Sequence, residues 1–171
     1  MTLEELPKSK ILIREAERKD VQTLVNLWRE QHNYHLNLDP DYYEPTSDEV
    51  LMNAQKYFDA AIEKGSLQIL LAENQSKPVG FITFEKVSRS PGIARSGTLI
   101  KDYGEVVDLF ITEVERGKGF GEQLMKKAEE KLKQQGVTHF MVEVSASNPK
   151  TIEFYKRGGY TTKQVEMFKE I

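Results

Sequence analysis

Between Val106 and Gly136 the chain passes from a β-branched run, through a loop with glycine at every second position, into an amphipathic helix. Val106-Val107-Asp108-Leu109-Phe110-Ile111-Thr112 is followed by Glu113-Val114-Glu115-Arg116-Gly117-Lys118-Gly119-Phe120-Gly121, and then by Leu124, Ala128 and Leu132 at four-residue spacing, with Gly136 after them. Apolar residues so spaced share one helix face, which must lie on a core, and the strand that feeds the helix belongs to the sheet beneath it. Glycines adopt backbone conformations barred to other residues and let the chain come close to a ligand. Successive amides in such a loop form an anion-binding concavity, and the new helix adds roughly half a positive charge at its N-terminus. Arg116 and Lys118 bring full charges, and arginine can grip phosphate oxygens bidentately. A phosphate or pyrophosphate site at a helix N-terminus is therefore expected, against the alternative of a glycine-rich turn without a ligand. A Walker A loop would need Ser or Thr after Gly-Lys, and a dinucleotide fingerprint would need G-x-G-x-x-G in an opening βαβ unit; both fit poorly.

The rest of the chain supplies the sheet and its cover. Ile11, Leu12 and Ile13, within Lys10–Arg14, suit a strand. Val21, Leu24, Val25 and Trp28 form one helical stripe, with Glu17 and Asp20 ahead of it where carboxylates favour a helix N-terminus. His32 to Pro45 reads as irregular and aromatic, broken by Pro40 and Pro45. Thr46 and Glu49 match a capping box for a second helix carrying Leu51, Ala54, Phe58 and Ala61, which Gly65 ends. Leu67–Glu73 and Pro78–Val87 are expected to pair as a hairpin across Asn74-Gln75-Ser76-Lys77. Ser88 to Tyr103, with Pro91, Gly92 and Gly97, is expected as a long surface loop. Glu105–Thr112 and Thr138–Ser145 then read as strands, Phe120–Gln135 and Pro149–Arg157 as helices, and Tyr160–Phe168 as terminal strand material. Together these describe a mixed α/β domain around one sheet, spanning 10–171 after a polar lead at 1–9.

Composition narrows the partners. The 171 residues, 39% hydrophobic and 30% charged, suit one globular domain. Lys plus Arg number 24 and Asp plus Glu 27, a net charge of −3, so the surface offers no global attraction to nucleic acid or anionic membrane. Cysteine is absent, which removes disulfides, thiolate metal sites and cysteine nucleophiles and fits a reducing compartment. Neither a signal peptide nor a run near the ~20 apolar residues of a membrane span is visible, so a cytoplasmic protein is expected. The histidines show no partner pattern for a metal site, and no metal is expected.

Arg116, Gly119 and Gly121 match the R/Q-x-x-G-x-G/A signature of the GNAT N-acetyltransferase superfamily, between the strand Leu109-Phe110-Ile111 and the helix bearing Leu124. A second family element, Asn followed by Phe-Tyr and then Gly-aromatic, is matched by Asn148, Phe154, Tyr155, Gly159 and Tyr160. The chain resembles that family from about Ile11 to Tyr160. The resemblance implies a mostly antiparallel central sheet with helices on both faces and a parallel strand pair, here Glu105–Thr112 and Thr138–Ser145, that splays to admit acetyl-coenzyme A. It implies that backbone of Phe110 and Ile111 meets the pantetheine arm, whose amides a strand edge can satisfy. Gly117, Lys118, Gly119, Phe120 and Gly121, with Arg116, would hold the pyrophosphate.

The implied reaction is direct transfer of acetyl to a primary amine of a small molecule or peptide, without a covalent enzyme intermediate. By the same resemblance Tyr155 is the candidate acid near the departing thiolate, against a role as a packed aromatic. Asn148 is a candidate coenzyme contact, a helix cap at Pro149, or both. Glu105 is the candidate base and Asp108, placed on the opposite strand face by alternation, its competitor; a water chain needs neither. The acceptor would lie near Tyr34, His35, Asp39, Tyr42 and Tyr43, with Asp108 beneath. Homodimers occur among such proteins. The alternative reading is a non-catalytic acyl-coenzyme A sensor or scaffold of the same fold.

Overall fold

In the computed structural model, which describes residues 11–88 and 102–169, helical stripes and alternating strands settle on the two sides of one mixed sheet. Its strands are β1 Leu12–Glu15, β2 Gln68–Asn74, β3 Lys77–Ser88, β4 Asp102–Ile111 and β5 Phe140–Val142, in spatial order β1-β2-β3-β4-β5. Pairing is antiparallel from β1 to β4 and parallel between β4 and β5. The helices are α1 Val21–Leu38, α2 Asp48–Lys64, α3 Phe120–Gln134 and α4 Pro149–Arg157.

Alternation along the strands sorts the core into two layers. One packs Leu24, Leu27, Phe58 and Ala61 of α1 and α2 on Ile69, Leu71, Phe81 and Phe110. The other packs Phe120, Leu124, Ala128 and Leu132 of α3 on Leu70, Ile82, Phe84 and Val106. Burying each Leu or Phe contributes about 1.5–3 kcal/mol, so these layers dominate the stability. β3 and β4 approach closely at Gly80, where a Cβ would stand 2.4 Å from the carbonyl oxygen of Phe110 and 2.5 Å from Ile111 Cδ1.

The pairing of β3 with β4 contains one irregularity. Thr83 stands opposite Asp108 while Phe84 stands opposite Val106, so Val107 is an extra residue on β4. Such a bulge shifts the alternation of everything beyond it by one position.

Several boundaries differ from the sequence expectation. The segment expected to be irregular from His32 is helical as far as Leu38. Nothing in Gln31–Leu38 breaks a helix, and the stop comes at Asp39, which leaves the helical region (φ −149°, ψ 77°) directly before Pro40. The cap of α2 is Ser47, whose Oγ accepts from the Val50 amide at 3.2 Å, rather than Thr46, which donates to Asn33 Oδ1 at 2.6 Å. The hairpin turns on Gln75 and Ser76, both with positive φ (50° and 63°), matching a two-residue turn whose twist suits the flanking strands. β5 covers only three residues of the strand expected at Thr138–Ser145. Residues 160–168, expected as terminal strand, carry no strand pairing. The expected loop at Ser88 to Tyr103 falls mainly on 89–101, outside the described residues, as does the lead at 1–9; its ends belong to β3 and β4.

Candidate active site

The open end of β4 organises the site. β5 pairs with Gly104, Glu105 and Val106 only, through Phe140, Met141 and Val142. From Val107 to Ile111, β4 continues along β3 with no β5 partner on its other side. A parallel pair that parts in this way leaves backbone donors and acceptors for an extended ligand.

The glycine loop stands at the end of that open stretch. After a 3₁₀ turn at Glu113–Glu115, Gly117 and Gly119 take φ of 78° and 79°, the left-handed region that glycine enters without strain. Gly119 is the N-cap of α3 and offers no side-chain cap, so backbone amides at this helix start are placed to receive an anion. Arg116 donates from Nε to the carbonyl oxygen of Ile111 at 3.0 Å, and its guanidinium lies 4.6 Å from the Tyr34 ring centre and 5.6 Å from that of Phe110. It therefore sits over the open strand, with the Ile111 carbonyl already engaged. Lys118 pairs with Glu115 at 3.0 Å, which tempers the full charge expected of it.

On the α1/α2 side of the open strand lies a polar seam. Gln31 Nε2 of α1 donates to Asp108 Oδ1 at 3.1 Å, and Thr83 Oγ1 of β3 donates to Asp108 Oδ2 at 2.9 Å. The Asp108 amide returns a bond to Thr83 Oγ1 at 3.0 Å. Desolvation pushes the Asp108 carboxyl up, opposed by these two side-chain hydrogen bonds. Burial, reinforced by the charges of Asp108 and Glu85, holds the Tyr57 phenol of α2 up at about 12.

The expected placement of Glu105 and Asp108 on opposite strand faces is corrected here. Glu105 stands opposite Glu85 and Asp108 opposite Thr83, two β3 residues of the same parity, because the extra residue Val107 lies between them. Both carboxylates therefore belong to the α1/α2 face. Glu105 lies where β5 still closes the strand, and Asp108 where it is open.

Tyr155 of α4 is buried, and its ring meets Phe154 and Tyr160 edge-on at 5.1 and 5.5 Å. Desolvation raises its phenol, and the Asp108 charge raises it further, so the hydroxyl is protonated at neutral pH. Asn148 is buried and caps α4, its Oδ1 accepting from the Thr151 amide at 3.2 Å and from the Tyr34 hydroxyl at 3.5 Å. Tyr34 thus links α1, α4 and Arg116.

The other aromatic candidates stand around the C-terminal end of α1. His35 stacks on Tyr43 at 5.2 Å, and burial, followed by the charge of His32, lowers its pKa. Tyr42 is exposed and touches Tyr43 and Phe168 edge-on or tilted, at 5.1 and 5.6 Å. Asp39 Oδ2 accepts from Ser147 Oγ at 2.9 Å, tying the end of α1 to the loop before α4.

Sequence reasoning missed Gln31 and Thr83. The signal was present: Gln31 follows Trp28 by three and Leu24 by seven, which puts a polar side chain on the buried stripe of α1.

A strand parted from its parallel neighbour thus ends in a glycine loop, without a side-chain cap, at the start of a helix. The model of the acetyltransferase (GNAT) family matches residues 21–160. The chain belongs to the GNAT acetyltransferase family. Among curated relatives of this GNAT chain, an uncharacterized N-acetyltransferase of Methanocaldococcus jannaschii is 30% identical over 112 residues, 66% of this chain and 47% of that protein. The chain thus spans about half the length of that archaeal relative. An uncharacterized N-acetyltransferase of Bacillus subtilis is 25% identical over 148 residues, 86% of this chain and 88% of that one. Among solved structures, a tetramutant of a Bacillus halodurans protein superposes with a TM-score of 0.81 at 20% identity, covering 94% of this chain and 99% of that one. A predicted acetyltransferase of Clostridium acetobutylicum, crystallised with acetyl-CoA, gives 0.72 at 16% identity, covering 94% and 96%. At these identities the structural likeness establishes the fold, which is the mixed sheet described above. No helix among the described residues is long and apolar enough to cross a membrane.

Proposed function

We propose that the protein is an acetyl-coenzyme A-dependent N-acetyltransferase that moves the acetyl group directly to a primary amine of a small molecule or peptide. The observation that carries this is the stretch of β4 from Val107 to Ile111 that β5 leaves open, leading into the start of α3, which has no side-chain cap. The residues fit the coenzyme: backbone of Phe110 and Ile111 for the pantetheine amides, and the amides of Gly117 to Gly121, with Arg116 and Lys118, for the pyrophosphate. Bound there, it supplies an activated acyl group and a thiolate leaving group. The Clostridium neighbour, solved with acetyl-CoA, supports this assignment.

The chain's own residues then manage protons. Tyr155, kept protonated by burial, holds a proton for a sulfur leaving beside it. An amine attacks only when neutral, so its proton must pass to an acceptor: a carboxylate of β4, or a chain of waters. Asp108 is in the open stretch, and Glu105, on the same face at the closed end, is the second candidate. The chain has no cysteine for a thioester intermediate, in keeping with direct attack. Asn148 and Tyr34 brace α4 against α1, and with His35, Tyr42 and Asp39 they border the acceptor side.

Arg116→Glu tests the coenzyme site. Its acetyl-coenzyme A affinity, measured by titration calorimetry, is expected to fall at least about tenfold with the fold intact by circular dichroism, since a charge-assisted contact becomes a repulsion. Unchanged affinity would remove the phosphate assignment. Binding by the parent without thiol release across polyamines, amino sugars, amino acids and peptides would instead favour the sensor reading.

A further inference from the structure

Gln31 is the one described residue with a fully buried side-chain polar atom that has no hydrogen-bond partner. Only 8% of the residue is exposed, yet Oε1 accepts from nothing while Nε2 is committed to Asp108. The assignment of the two amide atoms follows from chemistry, because an ionised carboxylate can only accept and so requires the nitrogen. A buried acceptor left unmet is costly, and native proteins rarely keep one without a use. Thr83 fixes the other carboxylate oxygen from a position with no solvent exposure, so the carboxylate is oriented from two sides. Each carboxylate oxygen retains a further acceptor site. Asp108 itself is only half-buried and so can be reached. The unit thus presents acceptors: a remaining site on each Asp108 oxygen, and Gln31 Oε1, whose terminal torsion is soft.

We infer that the Gln31–Asp108–Thr83 unit is the site that receives the acceptor's nitrogen, with Gln31 Oε1 as a specificity-determining contact for a primary ammonium or amine. A group with several N–H donors on one small centre can meet Asp108 and Gln31 together, whereas a hydroxyl of the same size brings one hydrogen and leaves an acceptor unmet. Position favours this use. Asp108 and Phe110 share a face of the open stretch of β4, and Tyr34, one helical turn beyond Gln31, lies under the Arg116 guanidinium that also covers Phe110. Thr83 acts through the carboxylate and is a positioning residue.

This inference rests on the acetyltransferase reading, and its test separates the two. Acetyl-coenzyme A affinity is measured first by calorimetry, then thiol release with the amine from the panel that the parent uses best. Gln31→Met keeps the length of the side chain and removes its polar atoms; it is expected to raise the amine KM at least about tenfold, with kcat within about threefold and coenzyme affinity unchanged. Asp108→Asn, of the same shape, is expected to raise the amine KM and also to lower kcat, since it removes a candidate proton acceptor; Gln31→Leu, expected to raise the amine KM as Gln31→Met does, serves if Gln31→Met does not fold. A lowered melting temperature with an unmoved amine KM would show the unit to be structural and overturn the inference while leaving the enzyme intact. Failure of the parent to bind acetyl-coenzyme A, or to release thiol with every amine, would instead sink the reading beneath it.

Discussion

The side of the sheet under α3 buries Ile82, Phe84, Val106, Leu124, Ala128 and Leu132 as a continuous apolar layer, whereas the side under α1 and α2 sets Phe58 and Phe81 beside Thr83, Gln31 and the Asp108 carboxylate. The same backbone alternation produces both. The first arrangement is what area burial alone would select. The second holds a carboxylate in surroundings that raise its pKa, and keeps it there with hydrogen bonds from two different elements. Both layers carry the stability, but only the second sets a carboxylate among its apolar side chains, and that difference can be attacked directly.

Leu124→Ala opens a hole where the side chain has no solvent exposure, so urea unfolding is expected to show a loss of about 3 kcal/mol. Among molecules still folded, the amine KM and coenzyme affinity should match the parent. A changed KM would break the division between the layers.

Tyr155 sharpens the comparison because it belongs to both sides. Its ring packs in the α3 layer while its phenol feels the charge of Asp108. Tyr155→Phe keeps the ring and is expected to lower kcat by about a hundredfold, with little change in stability or coenzyme affinity. A drop in melting temperature without a drop in kcat would leave Tyr155 as a packing residue.

The smallest effect is expected away from both layers. At the β1 edge, Arg14 grips Asp20 with both terminal nitrogens, at 2.7 and 2.8 Å, and the Glu17 amide adds a bond at 2.8 Å. The Arg14 hydrogen bond holds the Asp20 carboxyl below its ordinary range. A carboxylate lowered by folding contributes stability that is present above its unfolded pKa of about 4 and is lost as pH falls through the folded value. Asp20→Asn should therefore cost about 1.5 kcal/mol at pH 7 and flatten the acid limb of stability against pH. An unaltered acid limb would show that this pair does not set it.

Much of this architecture was legible in the residues. The stripe Val21-Leu24-Val25-Trp28, the run Leu124-Ala128-Leu132 and the hairpin around Gln75 and Ser76 declare their elements, because period and turn chemistry are local. The glycine loop declared its place for the same reason. What could not be read is what partners decide. The extent of β5 depends on where two parallel strands part, and the terminal residues 160–168 read as strand but carry no strand pairing. Glu105 and Asp108 were assigned opposite sides because counting by twos cannot see an extra residue that only cross-strand register reveals. Gln31 was overlooked because a glutamine on a helix reads as surface unless the stripe is followed one step further.

Val107 is a place on β4 where length can change without turning the strand over. Deleting it would bring Val106 and Asp108 together, still opposite Phe84 and Thr83, so Glu105 and Asp108, then two residues apart, would keep the same face. A deletion at Leu109, inside the regular ladder, would instead turn one half of the strand inside out relative to the half that kept its pairing. Directed evolution that permits indels would find tolerance at the bulge and its sharpest boundary just beyond it.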